Sequence, residues 1–358
     1  EFQKRGLRIF GPSKAAAELE GSKVFTKEFL ARHAIPTADF EVVMGRREAE
    51  RAAERFGYPV VLKADGLAAG KGVVICESAA QAVATIERMF SGAFGRAGET
   101  VVVEEFLEGE EASFIVMVDG THVVPFASSQ DHKRVRDADE GPNTGGMGAY
   151  SPAPVVTPAV HERTMRDVIM PTVRGLAAEG MPYTGFLYAG LMIAPDGTPN
   201  VIEFNCRLGD PETQPILSRL RTDLVDLVEA ALDGRLDRTQ ADWDSRAALG
   251  VVLAAEGYPE SVRKGDAVAG LDEAAKLPGK VFHAGTSLSG DRIVTSGGRV
   301  LCAVGLGDTV QDAQREAYAL VDAISWRGMH CRRDIGYRAI ARESASKAMR
   351  QDPSTRRK

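Results

Sequence analysis

Apolar positions recur along this chain with two alternating periods, one near 3.6 residues and one of two, so short helices and short strands follow one another. A helix end over 2–5, a stop at Gly6 and a short strand over 7–10 are predicted first. Ser13 is a candidate N-cap for an Ala-rich helix over 14–20 that stops at Gly21. Ser22 is another for a helix over 23–33, with Phe25, Phe29 and Leu30 at helical spacing. An α/β alternation follows: strand 39–43, helix 46–56, strand 59–64, loop 66–72, strand 73–76, helix 79–90 and strand 100–106. Residues 112–127 read as two strands about an Asp119-Gly120 turn.

Beyond them, 130–152 is polar, Gly-rich and aperiodic, too long for an idle loop in a compact domain. A helix over 159–179 contains Pro171, which should kink or interrupt it. Strands 185–193 and 200–204 are expected to pair across Pro195-Asp-Gly197, and 213–232 to form one helix ending at Gly234. A composition shift over 237–244 suggests a boundary. The β-branched segments 247–256, 281–285, 292–295 and 299–305 then predict an antiparallel sheet, crossed by a helix over 309–324. The polar, basic 344–358 is expected to be disordered. The chain opens in mid-pattern on a lone strand that cannot make a sheet by itself, which leads one to expect a preceding segment.

Composition narrows the classes. At 358 residues and 44% hydrophobic content the chain can bury two or three cores, and its net charge of -6 gives no electrostatic reason to expect nucleic acid. No apolar run approaches the ~20 residues of a membrane span, and the opening Glu1-Phe-Gln-Lys-Arg5 is not the start of a signal peptide. Cys76, Cys206, Cys302 and Cys331 are scattered without a C-x-x-C, so reduced thiols in the cytoplasm are expected.

Candidate chemistry concentrates in Pro199-Asn-Val-Ile-Glu-Phe-Asn-Cys-Arg-Leu-Gly-Asp-Pro-Glu-Thr-Gln214. Period two puts Glu203 and Asn205 on one face of a strand, as hard oxygen ligands suited to Mg²⁺ beside substrate phosphates. Arg207 is a phosphate or carboxylate clamp on that same face. An isolated E-x-N fits a solvated strand face better, but here the polar run continues through Asp210, Glu212 and Gln214. The loop Lys63-Ala-Asp-Gly-Leu-Ala-Ala-Gly-Lys-Gly72 supplies phosphate-approaching backbone at Gly66, Gly70 and Gly72, with Lys63 and Lys71 as cations. It is neither a Walker A loop, since Gly72 follows Lys71, nor a dinucleotide fingerprint, since a strand follows it. What remains is a hairpin able to fold over phosphates.

Strand 100–106 runs into acids, and its end can read an adenine edge while Glu104 or Glu111 accepts from the amino group or ribose. Adjacent Gly145 and Gly146 suit an anion nest of backbone amides, and Lys133 and Arg134 can reach acidic groups. His132 is read as a hydrogen-bonding group, because no Ser or Cys nucleophile motif accompanies it.

Together, Leu19-Glu-Gly-Ser-Lys23, 63–72, Val103-Glu-Glu-Phe-Leu107, Gly109-Glu-Glu-Ala-Ser113, Ser129-Gln-Asp-His-Lys-Arg134, 141–152 and 201–214 resemble the glycinamide ribonucleotide synthetase family, the phosphoribosylamine–glycine ligases of the ATP-grasp superfamily. Phe282-His-Ala-Gly-Thr286 and Ser296-Gly-Gly-Arg-Val300 extend the likeness toward the C-terminus.

The resemblance implies an α+β ATP-grasp fold, with two α+β lobes holding ATP and a C-terminal antiparallel-sheet and helix domain. On it, 1–24 is the remnant of an N-terminal Rossmann-like domain and linker, and 25–236 the ATP-grasp domain with a lid lobe over about 37–107. Residues 237–343 form the C-terminal domain, followed by a tail over 344–358.

The implied reaction joins glycine to 5-phosphoribosylamine at the expense of ATP, with Mg²⁺ or Mn²⁺. Lys23, Lys63, Gly66, Gly70, Lys71 and Gly72 would serve the phosphates, Glu104, Phe106 and Leu107 the adenine, and Glu111 the ribose. Glu203 and Asn205 would hold the metal, with phosphate and water completing it because strand 187–193 carries no acid. Asp131, Lys133, Asn143, Thr144, Gly145, Gly146, Arg207 and Asp210 would bind substrate, and Lys63 and Arg207 would be catalytic. The partners implied are small molecules, with no nucleic acid or membrane, and a monomer or weak homo-oligomer. An ATP-grasp ligase for another carboxylate and an inactive ATP-binding fragment are the alternative readings.

Overall fold

The computed structural model describes residues 2–66, 72–93 and 95–351. The chain divides into two compact units, neither continuous in sequence. The first comprises Glu1–Phe126, Val155–Leu208 and Leu224–Gln240, and the second Ala127–Pro154, Gly209–Asp223 and Ala241–Lys358.

The first unit holds two antiparallel sheets. One runs in the order Phe40–Val43, Val101–Glu105, Val60–Ala64, Val73–Cys76. Helices Arg46–Phe56 and Ala79–Arg88 cover one of its faces, where Ala49, Ala52, Ala53, Leu62, Ile86 and Val103 form a dry core. The other runs Pro199–Asn205, Thr184–Ile193, Glu110–Asp119, Val123–Pro125. Its inner strands are near-continuous apolar runs buried on both faces. Ser22 caps the Lys23–Arg32 helix by accepting from the Phe25 N–H, as expected.

The predicted interruption at Pro171 takes the form of a π-helical turn, Met165–Ile169, between helices Pro158–Thr164 and Met170–Ala178. The expected strand over 7–10 does not form: with no neighbouring strand to pair with, the segment stays irregular, and the Phe10 ring packs edge-on against Phe186 at 5.1 Å. The Ala-rich helix is likewise shorter than expected, a turn over 14–17 and then Glu18–Gly21.

The second unit is built on a five-stranded antiparallel sheet, Lys280–His283, Arg299–Gly307, Ala247–Ala254, Gly148–Ser151, Gln130–Asp131. Helix Val310–Ala323 packs on it through Ala313, Ala317, Leu320 and Val321. Gly305 permits that approach, since a Cβ there would stand 2.4 Å from the Ala313 carbonyl oxygen.

Four expectations are corrected in this half of the sequence. The aperiodic stretch 130–152 is not a loop: it carries Gln130–Asp131, Arg134–Arg136, Glu140–Asn143 and Gly148–Ser151, strands too short to show a period. Residues 292–295 leave the sheet and pair instead with Thr286–Ser289. The single helix over 213–232 is two, Thr213–Arg219 and Leu224–Leu232, because Leu220 turns extended and bridges to Trp243. Helix Tyr337–Gln351 runs through most of the tail expected to be disordered, and the rest of that tail, 352–358, lies outside the described residues.

Candidate active site

Lys63 and Glu104 sit on neighbouring strands, where Val61 pairs with Glu104 and Lys63 with Val102. Alternation turns both charged side chains away from the face that carries Leu62 and Val103. There the Lys63 ammonium lies 2.9 Å from the Glu104 carboxylate and donates to the Ile202 carbonyl of the second sheet at 3.1 Å. Lys27 joins them from the helix, 3.5 Å from Glu104, donating to Thr37 Oγ1 and the Ala38 carbonyl.

Two ammoniums and one carboxylate are thus held out of water, where charge–charge energies are largest. Burial pushes the Lys27 ammonium down to about 8, against the upward pull of Glu104. Glu104 is 3% exposed and faces both lysines, its Oε2 accepting from the Lys63 ammonium at 2.9 Å while its buried Oε1 accepts no hydrogen bond. The contact holds Lys63 in place.

Lys23, one turn before Lys27, donates to the Gly66 carbonyl at 2.7 Å. Burial lowers its pKa, the Glu203 and Asp65 carboxylates raise it and the Lys63 ammonium lowers it again, so these charges share one electrostatic neighbourhood. Asp65 fixes the start of the glycine loop by accepting from Ser22 Oγ at 3.1 Å and the Val24 N–H at 3.2 Å. Gly66 adopts φ +85°, a left-handed conformation that favours glycine. Gly72 is buried at the far end of the loop, while Gly70 and Lys71 lie outside the described residues.

Glu203 and Asn205 share a face by alternation, but which face that is does not follow from the strand's period alone. A β-bulge at Ile202, where Gly190 pairs with Glu203 and Leu191 with Val201, resets the phase just before them. Glu203 is exposed. Asn205 Oδ1 accepts from Arg207 Nη2 at 3.1 Å and keeps a second lone pair. Arg207 itself lies 3.3 Å from Glu20, which also accepts the Cys206 N–H at 2.8 Å. Among the described residues no group of three or more His, Cys, Asp or Glu side chains could hold a metal. Exposed Phe106 and half-buried Leu107 lie in the segment joining the two sheets, and Glu111 pairs with Met192 at the start of its strand.

In the second unit Asp131 ends an edge strand opposite Ala149, followed by the buried His132. The His132 Nε2 accepts the Gly336 N–H at 2.9 Å, which leaves the proton on Nδ1, as befits a structural hydrogen-bonding group. Half-buried Lys133 follows, its carbonyl accepting from the Thr144 N–H and hydroxyl, each at 2.8 Å. Asn143 is exposed.

The anion nest expected at Gly145 and Gly146 is not available. The Gly145 N–H donates to the Tyr258 hydroxyl and the Gly146 N–H to Thr144 Oγ1, each at 3.0 Å. What the glycines provide is close approach: a Cβ on Gly146 would meet Pro211 Cδ at 2.3 Å. Asp210, next to that proline, is exposed and pairs with Arg299.

Lys27, Glu20, Tyr258 and Arg299 are the participants that sequence reading missed. Lys27 left a signal, because it occupies a core-facing position of an amphipathic helix between Lys23 and Leu30. Glu20 in the first unit, and Tyr258 and Arg299 in the second, make their contacts with residues distant in sequence and left none.

The chain matches the family model described as "Phosphoribosylglycinamide synthetase, ATP-grasp (A) domain" over residues 21–213 and the corresponding C domain over 248–338. It is 63% identical over 345 residues to the phosphoribosylamine–glycine ligase of Vibrio cholerae, spanning 96% of this chain and 80% of that protein. To the Allochromatium vinosum protein of the same name it is 62% identical, with the same coverage. Among solved structures it is similar to the phosphoribosylamine–glycine ligase of Thermotoga maritima, at a TM-score of 0.84 and 38% identity over 91% of this chain and 81% of that one. A biotin carboxylase domain from Hydrogenobacter thermophilus, at TM-score 0.70 and 20% identity over 92% of this chain and 71% of that one, shares the fold.

Proposed function

The chain belongs to the phosphoribosylglycinamide synthetase family, and from that premise we propose that it is an ATP-dependent ligase that joins glycine to 5-phosphoribosylamine. The products are glycinamide ribonucleotide, ADP and phosphate, a step of purine biosynthesis. In the first half-reaction a glycine carboxylate oxygen attacks the γ-phosphorus and ADP leaves, giving glycyl phosphate. In the second the amine nitrogen attacks the acyl carbon, the carbon–oxygen bond to phosphate breaks, and the amine's proton is lost to solvent.

The first step brings anions together, so the task of the protein is charge neutralisation and positioning. The observation that carries this reading is the Lys63 ammonium, held on one side by Glu104 and on the other by the Ile202 carbonyl, with Lys23 in the same field. A cation fixed before the substrate arrives stabilises developing phosphoryl charge without the cost of reorganisation. Lys23, now bonded to the Gly66 carbonyl, would turn to a phosphate when nucleotide enters.

Glu203 and Asn205 fit a Mg²⁺ or Mn²⁺ ion as two hard oxygen donors on one face, the remaining positions falling to phosphate and water. Such an ion, when bound, offsets phosphate charge and polarises the transferred group. Glu104, Phe106, Leu107 and Glu111 are assigned to the nucleoside, with Arg207 and Asp210 on substrate. We assign 25–236 to the ATP-grasp domain and 237–343 to a C-terminal domain. Four free cysteines suit a cytoplasmic protein.

The test is ADP release with Mg·ATP and each substrate omitted in turn, with the amide followed by mass spectrometry. Amide formation requiring all three supports the reading. Turnover with another carboxylate but not glycine would overturn it.

A further inference from the structure

We infer that His122, Met165 and Met170 form a binding site for a soft monovalent metal ion, copper(I). All three line one cavity of about 490 Å³ whose walls belong to the first unit alone. Two separate devices bring them together. The first is the π-helical turn Met165–Ile169, in which the Met170 N–H donates to the Met165 carbonyl five residues back. At 3.6 residues per turn, side chains five apart point about 140° away from each other. The wider turn brings them toward one face, and such turns are frequent at functional sites.

The second device is Asp119, whose side chain is 1% exposed. Its carboxylate accepts the N–H groups of His122 at 2.7 Å, Thr121 at 3.0 Å and Leu236 at 3.2 Å, which ties the hairpin tip to the turn at Leu236–Arg238. Burial opposes its ionisation, but these bonds, with one from the His122 ring, hold the carboxyl below its ordinary value. His122 Nδ1 stands 3.1 Å from Asp119 Oδ2. An ionised carboxylate only accepts, so Nδ1 carries the proton and Nε2 keeps its lone pair. A carboxylate behind an imidazole is the arrangement that orients metal-bound histidines.

The donor set selects the ion. Two thioethers and an imidazole are poor ligands for hard cations such as Mg²⁺, and soft sulfur beside imidazole favours copper(I). Methionine is unbranched with three rotatable bonds, so both sulfurs can swing onto an ion at Nε2. Arg238 shares the wall, but it pairs with Asp237 at 3.3 Å and is 84% exposed, so its charge lies in solvent. The site shares no residue with the oxygen pair Glu203 and Asn205.

The experiment uses the full chain with carbon-13 in the methionine methyl groups, after accessible thiols have been blocked with iodoacetamide. Silver(I), a redox-inert ion of the same charge and softness, is titrated in, and NMR signals are assigned through Met165→Leu and Met170→Leu. The Met165 and Met170 signals should move together and stop at an equimolar amount of silver. Copper(I) affinity is then read by competition with bicinchoninate. Asp119→Asn leaves all three ligands in place and should weaken binding by about 10- to 100-fold, the usual loss when the partner behind a metal-bound imidazole is removed. Met165→Leu and Met170→Leu nearly conserve volume and so keep the fold, and each should weaken binding at least as much.

Met165 and Met170 signals that ignore silver would overturn the inference, as would copper(I) affinity that survives both leucine exchanges. Displacement of the silver by Zn²⁺ would overturn it too, because a site that prefers the harder ion does not depend on thioethers. Neither readout depends on the ligase reaction.

Discussion

Lys27 shows how one residue can tune a site without touching a substrate. In an unfolded chain its ammonium titrates at its ordinary 10.5, and in the fold burial brings it down to about 8. Below that range both states hold the proton and the contribution to stability is flat. Between about 8 and 10.5 the unfolded state binds more protons, so this residue's contribution rises with pH. Thermal unfolding of wild type and Lys27→Met, compared from pH 7 to 10, should therefore show wild type gaining on the variant above pH 8. A constant difference would mean that Lys27 titrates as it does in water.

Glu203 gives the opposite kind of test, since its side chain is exposed rather than packed. Glu203→Ala should leave the melting temperature within about 1–2 °C, as surface changes usually do. It should lower Mg²⁺-dependent turnover by on the order of 100- to 1,000-fold, the several kcal/mol that a metal ligand supplies. A folded variant with wild-type turnover would remove Glu203 from the metal site.

At the scale of elements, the short strands Arg134–Arg136 and Glu140–Asn143 make a hairpin with little apolar surface of its own. What holds it is Arg332, fully buried, which ion-pairs with Asp139 and Asp334 at 2.7 Å each and donates to the Arg134 carbonyl at 3.2 Å. His132, whose Nδ1 stands 3.9 Å away, together with hydrogen bonds from Tyr337 and Arg332, keeps the Asp139 carboxyl well below the usual carboxylate range. Removing one partner of a buried pair leaves charge uncompensated at a cost of about 3–5 kcal/mol. Arg332→Met should lose that much in urea titration, and a loss under about 1 kcal/mol would show the network to be dispensable.

For the molecule as a whole, the discontinuity of its units matters most. Strand Gly148–Ser151 takes one of its partners, Ala247–Ala254, from nearly a hundred residues downstream. A chain ending after Gln240 would therefore keep Ala127–Pro154 and Gly209–Asp223 while losing the rest of their unit. Unpaired strand edges of this sort invite aggregation. Such a truncation should be recovered mainly as aggregate by size-exclusion chromatography. A soluble monomer with a cooperative unfolding transition would show that the first unit folds without the second.

Local pattern was enough for most elements of the first unit, because strand and helix periods and the Ser22 cap are written within a few residues of each other. It was also enough to single out Lys63, Glu203 and Asn205 as candidates, since a cation beside a glycine loop and two oxygen donors at period two are local features, whereas Lys23 came only with the family resemblance. Tertiary structure alone decided what each of these touches. The bulge at Ile202 sets the face of Glu203, and the pairing of two distant strands brings the Glu104 carboxylate against the Lys63 ammonium. Tyr258 and Thr144 fill the amides of Gly145 and Gly146, and Arg299 reaches Asp210 from far along the chain. The reason is physical: a side chain's type and local direction follow from its neighbours in sequence. Its burial, its partner and therefore its charge state depend on residues that only folding brings within a few ångströms.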